Sequence, residues 1–351
     1  HGSAPQGGLF VRDSVLGITT EIAATAATPG SSVAGAGLTA DGRYALWTTP
    51  DGLVPPDTNG LDDVYVSDLL TGYIYLISYN PTLGTTGEVG NGRSQAVAIS
   101  PNSGYATFVT WSTNLATGTT GTGTGDLVVR DLNSPTYSTT RVAGANPLQA
   151  GHGVGSVADN GAVAYVDVSQ VYVWAAGVPT LVSQPTGTTG TGGAAVSWDP
   201  AISADGRYVS FTSLAALDPK DTNGVADVYL RDTTANTTTL VSLNGAGTAA
   251  GNGVSTASSI SADGSTVAYQ SAATDLLASP VGSRAFTQVF RWTRASGTTT
   301  LVSGAGGQAA NAQATEPIIN PTGAYVGYST DASNLVPGGA APWQGALTRA
   351  G

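Results

Sequence analysis

The stretch ISADGRYVSFTSL, Ile202–Leu214, joins two structural signals. Asp205 and Gly206 supply turn chemistry, an Asp side chain that bonds nearby backbone and a Gly that tolerates positive φ. Beyond the turn, Tyr208, Ser210 and Thr212 alternate with Val209 and Phe211, the period of two that marks a strand. The stretch predicts an apolar strand, a tight turn and a returning strand. The pattern recurs as LTADGRYALWTTP (Leu38–Pro50) and ISADGSTVAYQSA (Ile260–Ala272), and more weakly as ISPNSGYATFVTW (Ile99–Trp111), VADNGAVAYVDV (Val157–Val168) and INPTGAYVGYST (Ile319–Thr330). Its turn glycines, Gly42, Gly104, Gly161, Gly206, Gly264 and Gly323, are spaced by 62, 57, 45, 58 and 59 residues, which makes six units.

Outward from the turn, each unit continues through a variable polar loop to a third strand: DVYVSD, DLVVRD, QVYVWA, DVYLRD or QVFRWT. A fourth follows, for example YIYLISY or TTTLVSL. Short strands at this regularity predict an all-β fold, a six-bladed β-propeller of four-stranded antiparallel blades. The expected blades cover about 38–79, 96–145, 155–184, 200–243, 258–303 and 317–339, in one domain over 8–339 with a leader at 1–7 and a tail at 340–351. The last unit lacks its outer strands, and LFVRDSVLGITTEIA (Leu9–Ala23) has the pattern of VYLRDTTANTTTLVS (Val228–Ser242), so the N-terminus is expected to complete that blade and close the ring. The tail WQGALTRAG (Trp343–Gly351) also reads as a third strand and competes for the same place.

The shared pattern SISADGRYVxFxSxAxxLxPxDTNGxxDVYxRDxxTxxTTLVS resembles the TolB-like, WD-repeat-like six-bladed β-propeller repeats of secreted bacterial proteins. The match is fullest over Ile202–Ser242, and copies cover nearly the whole chain. The resemblance implies the fold; propellers host enzymes, receptors and scaffolds alike, so it names no activity.

Composition narrows the partners. The 351 residues carry 12 Lys+Arg against 23 Asp+Glu, a net charge of −11, which repels phosphate backbones and anionic lipid. No apolar run is long enough for a transmembrane helix, so neither nucleic-acid binding nor membrane insertion is expected. The absence of cysteine excludes disulfides, thiol nucleophiles and thiolate metal sites. The acidic, charge-poor, Thr/Gly-rich composition predicts an extracellular or cell-surface protein. A removed signal peptide and a tag remnant both account for the opening HGS.

Two loops repeat nearly word for word, DTNGLDD (Asp57–Asp63) and DTNGVAD (Asp221–Asp227). Oxygen side chains on alternate residues around a turn glycine suit Ca²⁺, a hard cation that takes six to eight oxygens. The candidate ligands are Asp57, Asn59, Leu61 (carbonyl) and Asp63 in the first loop, and Asp221, Asn223, Val225 (carbonyl) and Asp227 in the fourth unit, about two ions in all. The same spacing also makes an ordinary Asx turn. His1 and His152, the two histidines, form the one conceivable copper pair, although His152 aligns with Asn252 and Asn91 in a recurring loop and reads there as a hydrogen-bonding residue. No G-x-S-x-G elbow occurs. Trp47, Trp111, Trp174 and Trp292 fall in strand patterns and read as packing residues; Trp198 and Trp343 fall outside them and read as surface contacts.

The resulting expectation is a non-catalytic extracellular binding or scaffold propeller stabilised by calcium loops. Its contact surface would involve Asn91, His152, Asn252, Asn311, Trp198 and Trp343, and its partner would be a protein or a glycan. One alternative is a structural subunit that self-associates by strand addition through Gln344–Ala350. The other is a polysaccharide-acting enzyme using paired carboxylates or copper at His1.

Overall fold

The computed structural model describes residues 9–13, 18–23, 33–55, 57–82, 88–121, 123–134, 136–142, 155–190, 192–279, 286–335 and 344–349. Among them every regular element is a strand, and no helix is long and apolar enough to cross a membrane. The chain divides into two compact units, residues 1–148 and 149–351.

The first unit holds two four-stranded antiparallel sheets, each in sequential order. The first comprises Ala34–Leu38, Tyr44–Thr49, Asp63–Asp68 and Ile74–Leu76; the second comprises Ser94–Ile99, Tyr105–Thr110, Asp126–Asp131 and Thr139–Arg141. Leu46, Val66, Ile99 and Phe108 pack between them. The second unit repeats the plan. Its third sheet runs from Ser156–Val157 to Val178–Leu181, its fourth from Ser197–Ile202 to Thr237–Leu240, and its fifth from Ser255–Ile260 to Thr298–Leu301. The sixth has three strands, Ala314–Ile319, Tyr325–Thr330 and Gln344–Arg349.

Alternation in these strands separates two buried faces. All six residues of Tyr208–Ser213 are buried, because a neighbouring sheet covers each side. Val209 and Phe211 enter one core cluster; Ser210 on the opposite face accepts a hydrogen bond from Ser258 of the next sheet at 3.0 Å. Small hydroxyls fill the face that apolar side chains leave; Ser210 finds a hydroxyl partner there, and the Thr212 hydroxyl has none.

The turns that define the repeat are clipped by their own side chains. Asp205 accepts from the Ser203 hydroxyl (2.5 Å) and the Arg207 amide (3.0 Å), and Asp41 and Asp263 do the same in their turns. Each turn also reaches the next: the Ala40 amide donates to the Pro101 carbonyl in the first unit. In the second, Asp159 donates to Ala204, Ala204 to Ala262 and Ala262 to Pro321, at 2.8–2.9 Å. Gly206 and Gly264 hold φ of 77° and 66°, where a Cβ would be strained. In PNSG the positive φ falls on Ser103 rather than on Gly104, the glycine aligned by sequence. Gly104 is needed instead for close approach, since a Cβ there would lie 2.5 Å from the Asn133 amide.

The ends differ from the expectation. The third place in the sixth sheet belongs to the chain's own tail, with Tyr325 opposite Arg349 through to Thr330 opposite Gln344, and not to Leu9–Ala23. A link of some dozen residues closes that pairing, whereas the N-terminus would have to close a loop of about three hundred residues, at a higher entropic cost. Leu9–Asp13 and Ile18–Ala23 pair with each other, and Leu9 and Ile22 pack on the Trp47–Tyr65 cluster of the first sheet. The segment Gln344–Ala350, expected to be surplus, is therefore engaged at home through Arg349.

Gly264→Ala is expected to destabilise the protein by about 2 kcal/mol, combining positive φ with overlap onto the Tyr208 ring. A chemical-denaturation midpoint equal to that of the wild type would show that this turn tolerates a Cβ.

Candidate functional site

The two DTNG loops have the same geometry. Gly60 and Gly224 hold φ of 67° and 72°, reversing the chain so that Asn59 and Asn223 face the strand that follows. The Asn59 Nδ2 donates to Asp63 Oδ2 (2.8 Å) and to the Gly90 carbonyl (3.0 Å), while its Oδ1 accepts from the Leu61 amide (2.7 Å). Asn223 repeats this with Asp227 (2.7 Å), Gly251 (2.8 Å) and Val225 (2.9 Å). The second carboxylate oxygen of Asp63 accepts from the Ser78 hydroxyl at 2.5 Å, and that of Asp227 from Ser242 at 2.6 Å. Asp57 and Asp221 are held by the hydroxyls of Tyr65 and Tyr229.

Burial pushes Asp63 and Asp227 up to about 7, opposed by the Ser and Asn donors. The nearby charges of Asp57 and Asp62 raise Asp63 further, and Asp221 raises Asp227.

Sheets three and five show what this position does. There Gln170 and Gln288 stand where Asp63 and Asp227 stand. Gln170 accepts from the Ser183 hydroxyl (2.7 Å) and donates to the Ala195 carbonyl (3.0 Å); Gln288 accepts from Ser303 (2.8 Å) and donates to the Ala310 carbonyl (3.1 Å). One glutamine thus makes the connection that an Asp–Asn pair makes in sheets one and four: fourth-strand serine to third strand to the next sheet's loop. The serines and the two tyrosines were not singled out from sequence. Their signal was the recurring final serine of TTTLVS and the tyrosine of DVYVSD and DVYLRD.

Among the described residues no group of three or more His, Cys, Asp or Glu side chains is arranged to hold a metal ion. His1, His152 and Trp343 lie outside the described residues.

Asn91, Asn252 and Asn311 occupy one recurring clamp. Asn91 bonds the Thr113 hydroxyl (2.8 Å) and amide (2.8 Å), Asn252 bonds Thr274 (3.1 and 2.9 Å), and Asn311 bonds Ser333 (3.0 and 3.0 Å). Both polar ends of each amide hold two loops together. Trp198 departs from expectation: it lies within the first strand of the fourth sheet, partly buried against that sheet's core. A bulge between Trp198 and Ala201, with Asp199 at φ 50°, breaks the alternation that would have revealed the strand. Trp47, Trp174 and Trp292 are buried, as expected of packing residues, and Trp111 lies under the Arg93 guanidinium at 4.0 Å.

Fold and site together define an all-β protein of repeated four-stranded antiparallel sheets tied by polar braces. No family model matches the chain, and no curated protein matches it. Solved structures similar to it include TolB of Acinetobacter baumannii, at 15% identity and a TM-score of 0.42, covering 83% of this chain and 58% of that one. TolB of Agrobacterium tumefaciens gives 13% identity and 0.43, covering 81% and 83%. An oligogalacturonate lyase of Vibrio parahaemolyticus gives 11% identity and 0.39, covering 95% of each chain. The chain spans 58% of the Acinetobacter protein's length.

A carboxyl raised from about 4 in the unfolded chain to about 7 binds more protons when folded, so its contribution to stability falls as pH rises between those values and is level above them. Ser242→Ala removes a donor to the charged form of Asp227. It is expected to cost about 1–3 kcal/mol at pH 8 and less at pH 5, measured by urea unfolding. Equal losses at both pH values would show that Asp227 has the same charge at each.

Proposed function

We propose that the chain is a six-bladed, non-catalytic β-propeller acting outside the cell as a binding or scaffold module. The observation that carries this reading is the commitment of the repeat's acids to structural bonds. Asp41, Asp205 and Asp263 clip turns. Asp68 and Asp232 form two-point ion pairs with Arg43 and Arg207, each closing at 2.7 Å. Asp63 and Asp227 brace adjoining segments. General acid–base chemistry needs carboxyls free to exchange protons with a substrate, and these are spent on the fold. Among the described residues, five four-stranded sheets and a three-stranded sixth support the blade count. The acidic, cysteine-free composition supports the location.

A second reading adds Ca²⁺ at the DTNG loops, with Asp57, Asn59, the Leu61 carbonyl and Asp63, and with Asp221, Asn223, the Val225 carbonyl and Asp227. The observation that favours it is the charge of Asp57 and Asp62 beside Asp63, and of Asp221 beside Asp227, which a cation would offset. Binding would require Asn59 to release the Leu61 amide and turn its Oδ1 inward.

Elemental analysis of protein purified without chelator, with thermal midpoints in calcium and in EDTA, separates the two readings. About two calcium ions and a midpoint that falls in EDTA support the second; no calcium and no shift leave the loops as hydrogen-bonded braces. Incubation with polysaccharides, with and without copper and a reductant, is expected to give no product. Turnover abolished by His1→Ala would overturn the non-catalytic reading.

A further inference from the structure

Six asparagines in the chain are followed by glycine: Asn59, Asn91, Asn160, Asn223, Asn244 and Asn252. Such a pair carries latent chemistry. The glycine's main-chain nitrogen, once it has lost its proton to solvent, attacks the asparagine Cγ, and no Cβ stands in the way. The new C–N bond closes a five-membered succinimide, and Nδ2 leaves as ammonia. Water then opens the ring at either carbonyl, giving aspartate or isoaspartate. The net change is amide plus water to acid plus ammonia, with no oxidant or other reagent, and it is one source of asparagine's thermal lability.

The fold treats the six pairs differently. The Gly92 amide donates to Ser112 Oγ at 3.0 Å, the Gly161 amide to the Ala158 carbonyl at 3.1 Å and the Gly245 amide to the Asp275 carbonyl at 2.7 Å. A nitrogen whose proton is held by an acceptor gives it up less readily. Among the described residues the Gly60, Gly224 and Gly253 amides meet no acceptor. Asn59 and Asn223 are protected in another way. Each is half-buried with its side chain fixed by three hydrogen bonds in the DTNG brace, which keeps Cγ from swinging to the nitrogen that follows.

Asn252 has neither protection. It is exposed, and its side chain is held only by Thr274, through the hydroxyl at 3.1 Å and the amide at 2.9 Å. Asn91, equally exposed, makes the same two bonds to Thr113, so the nitrogen of the following glycine is what separates these two clamps. Packing keeps the glycine in place. A Cβ at residue 253 would lie 2.8 Å from the Ala273 nitrogen, and one at residue 92 would lie 2.4 Å from the Trp111 carbonyl oxygen.

We propose that Asn252 is a site of spontaneous modification, converted through a succinimide to aspartate and isoaspartate while the fold holds the other five pairs back. The product loses the Nδ2 donor to Thr274 and gains a negative charge beside Asp275, whose Oδ1 accepts from the Asn252 amide at 2.9 Å. In the isoaspartate form the main chain also lengthens by a methylene, next to a glycine with no room for a Cβ. Both changes open the clamp that joins the two loops. The proposal stands apart from the reading of the chain as a binding module and does not depend on it.

The test holds the whole chain at pH 8, folded and in urea, and follows conversion at each of the six asparagines over time by tandem mass spectrometry. In urea the six are expected to react at comparable rates. In the folded protein Asn252 is expected to react at least tenfold faster than the other five, and the aged protein to unfold at a lower temperature. Ser112→Ala, which frees the Gly92 nitrogen, is expected to bring Asn91 close to the rate of Asn252. Asn252 left intact while the unfolded chain reacts, or converting no faster than Asn91, would overturn the assignment, and this comparison decides it even if Ser112→Ala fails to fold. A folded Ser112→Ala variant with the Asn91 rate unmoved would overturn it as well.

Discussion

A buried polar side chain at the start of the third strand has to find a donor and an acceptor inside the protein, because an unsatisfied group there costs about 1–3 kcal/mol. In sheets one, three, four and five the partners are the same: a serine hydroxyl after the fourth strand and, directly or through an asparagine, the loop entering the next sheet. This contact ties the outer strand, the third strand and the neighbouring segment at one point. The loops that precede it are free to vary as long as it is made. Glutamine makes it alone; aspartate, one methylene shorter and lacking a donor, makes it with an asparagine supplied by the DTNG loop.

The turn-to-turn chain at the opposite end of the strands has a similar effect. Each turn offers one amide and accepts one neighbour's, so in the second unit the bonds from Asp159 through Pro321 form a series. Strands covered on both faces then need small hydroxyls as much as large apolar groups. That explains how Tyr208–Ser213 can be wholly buried while reading as half polar. The acids of the repeat are taken up by structural bonds, and the variation between units lies in the connections between sheets. The residue added at Tyr79–Pro81 is one such variation.

Much of the fold was legible in the sequence because turn chemistry and strand period agreed in most units. ISADGRYVSFTS marks its turn with Asp205 and Gly206, and both do in the structure what such residues do in isolation. Where the reading missed, a local signal was displaced or a choice was non-local. Trp198 was placed outside the strands because a bulge shifted its register. The last sheet was assigned to Leu9–Ala23 over the competing tail, because pattern alone carries no information on loop closure, which favours the tail. In the site, Asp57, Asn59 and Asp63 were read from sequence as calcium ligands, and the equivalence of an Asp–Asn pair to Gln170 or Gln288 is invisible there, since it exists only in hydrogen-bond geometry.

The central claim is that the DTNG loop and a single glutamine are interchangeable braces. Urea unfolding of Asn223→Ala/Asp227→Gln beside Asn223→Ala alone tests it most directly. The account predicts that the single change costs about 1–3 kcal/mol and that the added glutamine restores stability to within about 1 kcal/mol of the wild type, with or without calcium. A double variant no more stable than the single one, in a protein that calcium stabilises in its wild-type form, would contradict it and make the loop a metal site first.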